Sequence, residues 1–332
     1  MSWNGALDGA DHLKVPFLVG PTASGKTSVA IEVARKIGAE IISADSRQIY
    51  SGMPIGTAQP MVEEQSRCHH HFIACMSPAE TFSSGEFGRQ AREKCLQLHK
   101  QGIIPFVVGG SGLYISTMVD DFFEGPAADP EIRARLKSEA ETEGVELLHQ
   151  RLMSVDPQSA ERIMPNDFRR IERALEIYEI TGKPISELRL LEGSPPPYQP
   201  LMFGLRWSRE QLYERINRRC EQMLAEGLLA EVRELINGKD LNDPDFWKRY
   251  NSLNSVGYVE VIQFIKGEID SEEMLRLFQR NTRRFAKRQI SWFGRDDRIK
   301  WIDIDTIKDV LTVADEILAI LEAEGFHERS NR

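Results

Sequence analysis

No segment constrains the fold of this chain more than Gly20-Pro21-Thr22-Ala23-Ser24-Gly25-Lys26-Thr27. It matches G-x-x-x-x-G-K-[ST] in full, and at ordinary composition a chance match in 332 residues has odds of about one in a hundred. An apolar run at 15–19 leads into it, and Ser28-Val29-Ala30-Ile31-Glu32-Val33-Ala34 leaves it at helical spacing, which is the context the motif requires. Glycines let backbone N–H groups converge on an anion, and the N-terminus of the following helix adds partial positive charge. Lys26 supplies a full charge, and the Thr27 hydroxyl can hold Mg²⁺. A di- or triphosphate is the expected ligand. The guanine-reading N-K-x-D pattern is absent, whereas Ile41-Ile42-Ser43-Ala44-Asp45 could end a metal-holding strand, so a small-metabolite kinase stays open.

Short apolar runs at 15–19, 41–44, 72–75, 103–108, 201–205 and 299–304 alternate with helical patterns. That alternation predicts an α/β fold, a mostly parallel sheet flanked by helices. The rhythm breaks near Gly125. From Asp129 to about Gly193 charged residues alternate with Leu, Ile and Ala at helical spacing, opened by the cap-and-proline pair Asp129-Pro130 and followed by Ser194-Pro195-Pro196-Pro197. We expect a core built from 14–124 and 196–324 and a small all-helical insertion at 125–195. Residues 1–13 read as a loose leader without signal-peptide pattern, and 325–332 as a polar tail. No apolar run approaches the roughly 20 residues of a membrane span. Four cysteines (Cys68, Cys75, Cys95, Cys220) with no C-x-x-C pair argue against a zinc ribbon or disulfide scaffold and suit a reducing cytoplasm.

Three further features bear on chemistry. Asp45-Ser46-Arg47-Gln48-Ile49-Tyr50 follows an apolar run and so lies at the carboxyl edge of a strand, where parallel sheets bind ligands. The Asp45 carboxylate could take a proton from an attacking nucleophile, hold Mg²⁺ with Thr27, or simply cap a helix. Gly109-Gly110-Ser111-Gly112 repeats the strand-to-helix pattern, and Ser111 could add a hydroxyl to the phosphate pocket. Finally, Arg276, Arg280, Arg283, Arg284, Lys287, Arg288 and Arg295 occur without an acid between 276 and 295, in a chain of net charge −9. At about 100° per residue Arg276, Arg280, Arg283 and Lys287 share a stripe opposite Met274, Phe278, Phe285 and Trp292, which predicts buried aromatics and a cationic face for backbone phosphates. Arg169, Arg170 and Arg173 form a second basic cluster. A polyanion gripped from two sides is the expectation, and a non-catalytic nucleotide-dependent RNA-binding protein is a rival to an enzyme.

Taken in order with Gly56-Thr57-Ala58-Gln59-Pro60, Pro165-Asn166-Asp167, Val256-Gly257-Tyr258 and Ala286-Lys287-Arg288-Gln289-Ile290-Ser291-Trp292, these motifs resemble the bacterial tRNA dimethylallyltransferase (tRNA isopentenyltransferase) family from about residue 15 to 304. The resemblance implies a P-loop NTPase-like core, Mg²⁺, and transfer of a dimethylallyl group from dimethylallyl diphosphate to N6 of the adenine just 3′ of the anticodon. Carried over by position, Gly20 to Thr27 would hold the diphosphate, with Arg219 reaching it, and Asp45 would be the general base, with Lys26, Thr27 and Ser111 beside it. Contacts to the tRNA anticodon stem-loop would come from Asp45, Ser46, Arg47, Gln48, Ser111, Arg133, Arg169, Arg170, Ile171, Glu172, Arg173, Asn254, Ser255, Val256, Gly257, Tyr258 and Val259. On the basic helix they would come from Arg280, Lys287, Arg288, Gln289, Ile290, Ser291, Trp292, Phe293 and Gly294. A cytoplasmic monomer that touches no membrane is implied. Ser111 stands where the family usually has threonine, Gln59 where lysine is common, and Met164 where histidine is usual. His69-His70-His71 are expected to enter a strand and not to bind metal, since no cysteine or carboxylate is suitably spaced.

Overall fold

The structure is a computed structural model that describes residues 13–121, 123–305 and 309–327; most of the expected leader and the end of the expected tail lie outside these. Among the described residues, six strands form one sheet: β1 (Lys14–Val19), β2 (Ala39–Ser43), β3 (His70–His71), β4 (Ile104–Gly109), β5 (Gln199–Arg206) and β6 (Ile299–Asp303), in the spatial order β3-β2-β4-β1-β5-β6. Every pairing is parallel. A parallel sheet is covered on both faces, and its strands read as continuous apolar runs. Val15, Phe17, Leu18 and Val19 of the central strand are all buried, as the run at 15–19 requires.

One face packs on the helices Lys26–Ile37 and Val310–Ala323, with Val33, Ile37, Ile317 and Leu321 in the shared core. A second core joins the helices Arg209–Ala225, Leu228–Ile236, Tyr258–Ile265 and Ser271–Phe293 around Leu212, Ile216, Val232, Tyr258 and Phe278. From β1 the chain runs outward to β2 and β3, returns to insert β4 beside β1, and then builds β5 and β6 on the other side. The loops after β1, β2 and β4 therefore open at adjoining strand ends, at the switch point where such sheets bind ligands.

The run at 72–75 is not a strand. Pairing stops at His71, because Phe72 (φ 63°) and Ala74 (φ 48°) are left-handed and cannot continue a ladder. The chain turns instead, so that the N–H groups of Ala74 and Met76 donate to the carbonyls of Gln48 and Ile49, at 2.9 and 3.0 Å. The segment after β3 thus supports the segment after β2.

Residues 117–196 form a second compact unit, which places 117–121, 123 and 124 with the helices. Its helices are Pro130–Glu143, Val145–Val155, Pro157–Arg162, Phe168–Thr181 and Ile185–Glu192, around a core of Leu136, Leu148, Leu152, Ile171 and Leu175. Asp129 caps the first of them by accepting from Glu131 N and Ile132 N at 2.9 and 3.1 Å. Gly182 ends the helix Phe168–Thr181 in the left-handed conformation with φ 71°.

The buried carboxylate of Asp156 accepts from Ser159 N and Oγ at 3.0 and 2.7 Å and from Ser186 N and Oγ at 3.1 and 2.7 Å, which ties two helix starts together. Burial works to raise its pKa, but these four bonds outweigh it and hold the carboxyl below the usual range. The stabilisation is therefore present above the unfolded aspartate pKa and lost as pH falls through the folded one. Asp156→Ala should destabilise the helical unit by about 3 kcal/mol near neutrality. In denaturant melts the gap to wild type should narrow below about pH 4.

Candidate active site

The phosphate loop follows directly from β1. Ala23 (φ 62°) and Gly25 (φ 90°) are left-handed, which turns the loop around the start of the helix Lys26–Ile37. That helix has no acid in its first turn, so its positive end is uncompensated. Side chains brace the loop from outside. Arg215 Nε donates to Ala23 O at 2.9 Å with its guanidinium 4.5 Å over the Trp207 ring, and Trp207 Nε1 donates to Ser24 O at 3.0 Å. Inside the loop, Ser24 Oγ is buried and has no hydrogen-bond partner among the described residues, an orphaned group of the kind a phosphate oxygen satisfies.

Lys26 Nζ donates to Pro21 O at 2.7 Å, folded back onto its own loop. Burial pulls its pKa down to about 7; Asp45 opposes that shift and Arg219 adds to it. Arg219 is thus close enough to Lys26 to repel it. Arg219, Arg215 and Arg218 all line the cleft. The sequence left open whether Arg215 or Arg219, four residues apart on one helix, reaches the diphosphate; Arg218 was missed, although Leu212, Ile216 and Cys220 bury one stripe of that helix and residues 215, 218 and 219 flank it.

Asp45 follows β2. Its Oδ1 accepts from Arg47 N at 2.9 Å and from Gln48 N at 3.4 Å, so the carboxylate organises its own turn, not a helix start, and Oδ2 has no hydrogen bond among the described residues. Ser111 completes this turn: its Oγ accepts from Ser46 N at 2.9 Å and donates to Ser46 Oγ at 3.1 Å. Its hydroxyl is therefore committed to the Asp45 turn and not to the phosphate pocket. Arg47 Nη1 donates to Asn251 O at 2.8 Å and Gln48 Nε2 to Ala58 O at 2.7 Å, so both of these expected RNA contacts also fasten loops together.

The three glycines at and just beyond the end of β4 are explained by proximity, not by turn conformation. A Cβ on Gly109 would lie 2.2 Å from Ala44 O, on Gly110 2.4 Å from Gln289 Nε2, and on Gly112 2.5 Å from the Trp292 ring. Gln289 is buried; its Oε1 accepts from Thr22 N at 2.8 Å and its Nε2 donates to Gly110 O at 2.9 Å. It thus bridges the phosphate loop to the turn after β4, with both atoms of its amide engaged in the bridge.

The basic helix, Ser271–Phe293, departs from expectation in its buried face. Met274, Phe278, Ala286, Gln289 and Phe293 are buried, whereas Phe285 and Trp292 are exposed along the cleft with Arg288. A 3.6-residue period fixes a stripe but over 23 residues does not fix which of two neighbouring stripes faces the core. The cation stripe also shrinks. Glu273, just outside the acid-free window, takes Arg276 through two 2.6 Å bonds, and Arg283 is held by Asn217. Arg284, Lys287 and Arg288 remain exposed, as do Ile290, Ser291 and Gly294, while Arg280 is half-buried.

Other expected RNA contacts are internal. Tyr258 is buried, with its hydroxyl donating to Glu231 Oε1 at 2.6 Å, and Gly257 and Phe293 are buried too. Asn254, Ser255 and Val256 line the cleft, and Val259 lines a smaller cavity of about 270 Å³ beside Arg284 and Arg288. In the helical unit Ile171 is buried, Glu172 is half-buried, and Arg133 and Arg173 clamp the buried Glu176 carboxylate at 2.8 and 2.6 Å. Arg169 and Arg170 are exposed.

Together the loops after β1, β2 and β4, the three arginines and the basic helix enclose a cleft of about 1560 Å³. Its polar floor holds Lys26, Thr27 and Asp45, and its walls carry the exposed apolar side chains of Met61, Val62, Leu113, Phe285 and Trp292. An anion cradle beside apolar walls suits a ligand that is charged at one end and hydrocarbon at the other.

The profile of the IPP transferase family matches residues 48–296. The chain is similar to tRNA dimethylallyltransferases of Pelotomaculum thermopropionicum, 42% identical over 94% of this chain and 98% of that one, and of Symbiobacterium thermophilum, 46% identical over 88% and 90%. Among solved structures it is similar to the tRNA isopentenylpyrophosphate transferase of Bacillus halodurans, with a TM-score of 0.66 and 37% identity over 93% of this chain and 97% of that one. A eukaryotic dimethylallyltransferase acting on tRNA gives a TM-score of 0.75 at 26% identity, over 88% and 74%. With a parallel P-loop NTPase-like sheet common to these structures and a family match across most of its length, the chain belongs to the IPP transferase family.

Proposed function

We propose that this protein transfers a dimethylallyl group from dimethylallyl diphosphate to N6 of the adenine 3′-adjacent to the anticodon of tRNA, releasing diphosphate. The reading is carried by one observation, the meeting of a phosphate cradle and exposed apolar walls in the cleft that also holds Asp45. A kinase cleft has no need of apolar side chains such as Met61, Val62 and Leu113 in its lining. The relatives' names point the same way.

Adenine N6 is a weak nucleophile, so the departing diphosphate must be stabilised as the allylic C–O bond ionises. Lys26, the loop N–H groups and Arg219 surround the site where that negative charge grows, the kind of preorganised electrostatic stabilisation that is often the largest catalytic contribution. A desolvated Lys26 is primed for this, because an arriving diphosphate supplies the counter-charge that restores its ammonium form. The orphaned Ser24 hydroxyl, the Thr27 hydroxyl and the unengaged oxygen of Asp45 form an oxygen donor set that suits Mg²⁺ together with a phosphate. When bound there, Mg²⁺ would neutralise charge on the diphosphate. As the C–N bond forms the amine becomes acidic, and Asp45 takes its proton. Phe285 and Trp292 offer flat faces on which an unstacked base can rest. Exposed Arg284, Lys287 and Arg288 would meet RNA phosphates, and Arg169 and Arg170 would do so from the helical unit.

The direct test is mass analysis of nucleosides from unmodified tRNA incubated with the protein, Mg²⁺ and dimethylallyl diphosphate. N6-isopentenyladenosine is expected. In a parallel incubation with ATP, ADP formation together with no prenylated nucleoside in the first would instead identify a kinase.

Asp45→Asn should lower kcat by about 10²–10⁴-fold while tRNA affinity in gel-shift titrations stays near wild type. Gln289→Ala removes the bridge between the phosphate loop and Gly110 O. It should raise KM for dimethylallyl diphosphate by about tenfold and leave tRNA binding within about twofold; weakened tRNA binding alone would mark Gln289 as an RNA contact after all.

A further inference from the structure

Glu40, His69 and His71 lie together at the edge of the sheet, away from the cleft residues. β2 and β3 pair in parallel with Ile41 opposite His70 and Ile42 opposite His71, and Ile41 N donates to His69 O at 2.9 Å. Alternation puts His69 and His71 on one face of their strand, and the register brings Glu40 up to them. One ligand atom from each side chain falls within 4.8 Å of the others. His71 Nε2 is 2.7 Å from Glu40 Oε2, and the rings of His69 and His71 are edge to face with centroids 4.5 Å apart. The carboxylate that the linear sequence lacks is supplied across the sheet, so spacing along the chain was the wrong criterion for these histidines.

We infer that Glu40, His69 and His71 form a binding site for a transition-metal dication of the Zn²⁺ class, separate from the Mg²⁺-dependent cleft. Two imidazoles and one carboxylate are borderline donors that suit Zn²⁺ and its neighbours, whereas Mg²⁺ prefers an all-oxygen shell. Three protein ligands with water in the fourth position make a complete tetrahedral set. Bond lengths of about 2.0–2.2 Å put neighbouring ligand atoms roughly 3.3 Å apart, so the cluster needs only a modest contraction. The exposed His69 can supply it by side-chain rotation, and the metal would replace the hydrogen bond between His71 Nε2 and Glu40 Oε2. The site is not part of the cleft: Glu40 precedes Asp45 by five residues, roughly 16 Å along an extended strand, and none of the three ligands lines the cleft. Its effect would be to clamp the two-residue strand β3 to β2. The segment just beyond β3 carries the bonds from Ala74 and Met76 to Gln48 and Ile49, so the clamp would stiffen the support of the Asp45 turn.

The test is a Zn²⁺ titration of the full-length protein against a colorimetric chelator, in buffer with millimolar Mg²⁺. One equivalent should bind with a micromolar or lower dissociation constant, and thermal melting should shift upward with it. His69→Ala and His71→Ala should each weaken binding by at least about tenfold, and Glu40→Gln should also weaken it. His99→Ala, an exposed histidine on the helix Ser84–Lys100, should not. X-ray absorption of the Zn²⁺-loaded wild-type protein, which needs no variant to fold, should show nitrogen and oxygen neighbours with imidazole scattering. Absence of saturable binding, full retention in the His69→Ala/His71→Ala double variant, or a sulfur neighbour from the exposed Cys75 would each overturn the assignment.

Discussion

Backbone-to-backbone closeness at the end of β4 is the constraint on which the rest of the site depends. The place where a Gly109 Cβ would sit is 2.2 Å from Ala44 O, so only hydrogen can occupy it, and the ends of β2 and β4 close together. That closeness lets Ser111 N donate to Ala44 O at 3.2 Å and the Ser111 hydroxyl reach Ser46. Ser46 in turn belongs to the turn that Asp45 organises. A chain of short contacts therefore runs from a missing side chain to the position of the candidate base. Gln289 extends the same construction to the phosphate loop, with Gly110 bare so that its amide can enter.

The bracing has an electrostatic purpose. Arginines at 215, 218 and 219, the lysine at 26 and a helix N-terminus converge on one floor in a chain whose net charge is −9. Without a ligand these positive groups repel one another and pay for their burial, which is visible in the lowered pKa of Lys26. Such a site holds its shape only if backbone and neutral side chains fix it. Ala23 O on Arg215, Ser24 O on Trp207 and Thr22 N on Gln289 do that with no counter-charge that would compete with a diphosphate.

Much of this was legible in the sequence, because it is local. The phosphate loop, the Asp45 strand end, the parallel sheet and the cap at Asp129 each depend on residues adjacent in the chain. Contacts between distant segments were not legible. Glu231 meeting Tyr258, Glu176 meeting Arg133, and Glu40 meeting His71 are pairs set by tertiary register, so residues grouped by resemblance as one RNA-facing set divide into surface and interior. The aromatic stripe of the basic helix shows the same limit from another side. Periodicity identified two faces, but which of them met the core was decided by the neighbouring helices and by the glycines that make room for Gln289 and Trp292.

The helix Ser271–Phe293 presents Arg284, Lys287 and Arg288 outward, lines the cleft with Phe285 and Trp292, and inserts Gln289 between two phosphate-side loops. A single helix thus carries exposed cations, two cleft-lining aromatics and the amide that reaches the phosphate loop. On the proposed reading, a movement imposed on it by RNA phosphates would reach Thr22 N through one amide 2.8 Å away. Donor and acceptor need not signal through a flexible lid, because the element that would grip the acceptor is already hydrogen-bonded to the loop that would hold the donor. Ionisation of an allylic diphosphate before the base arrives would lose the prenyl group to water, and a shared helix is the shortest physical route by which acceptor binding could complete the donor site.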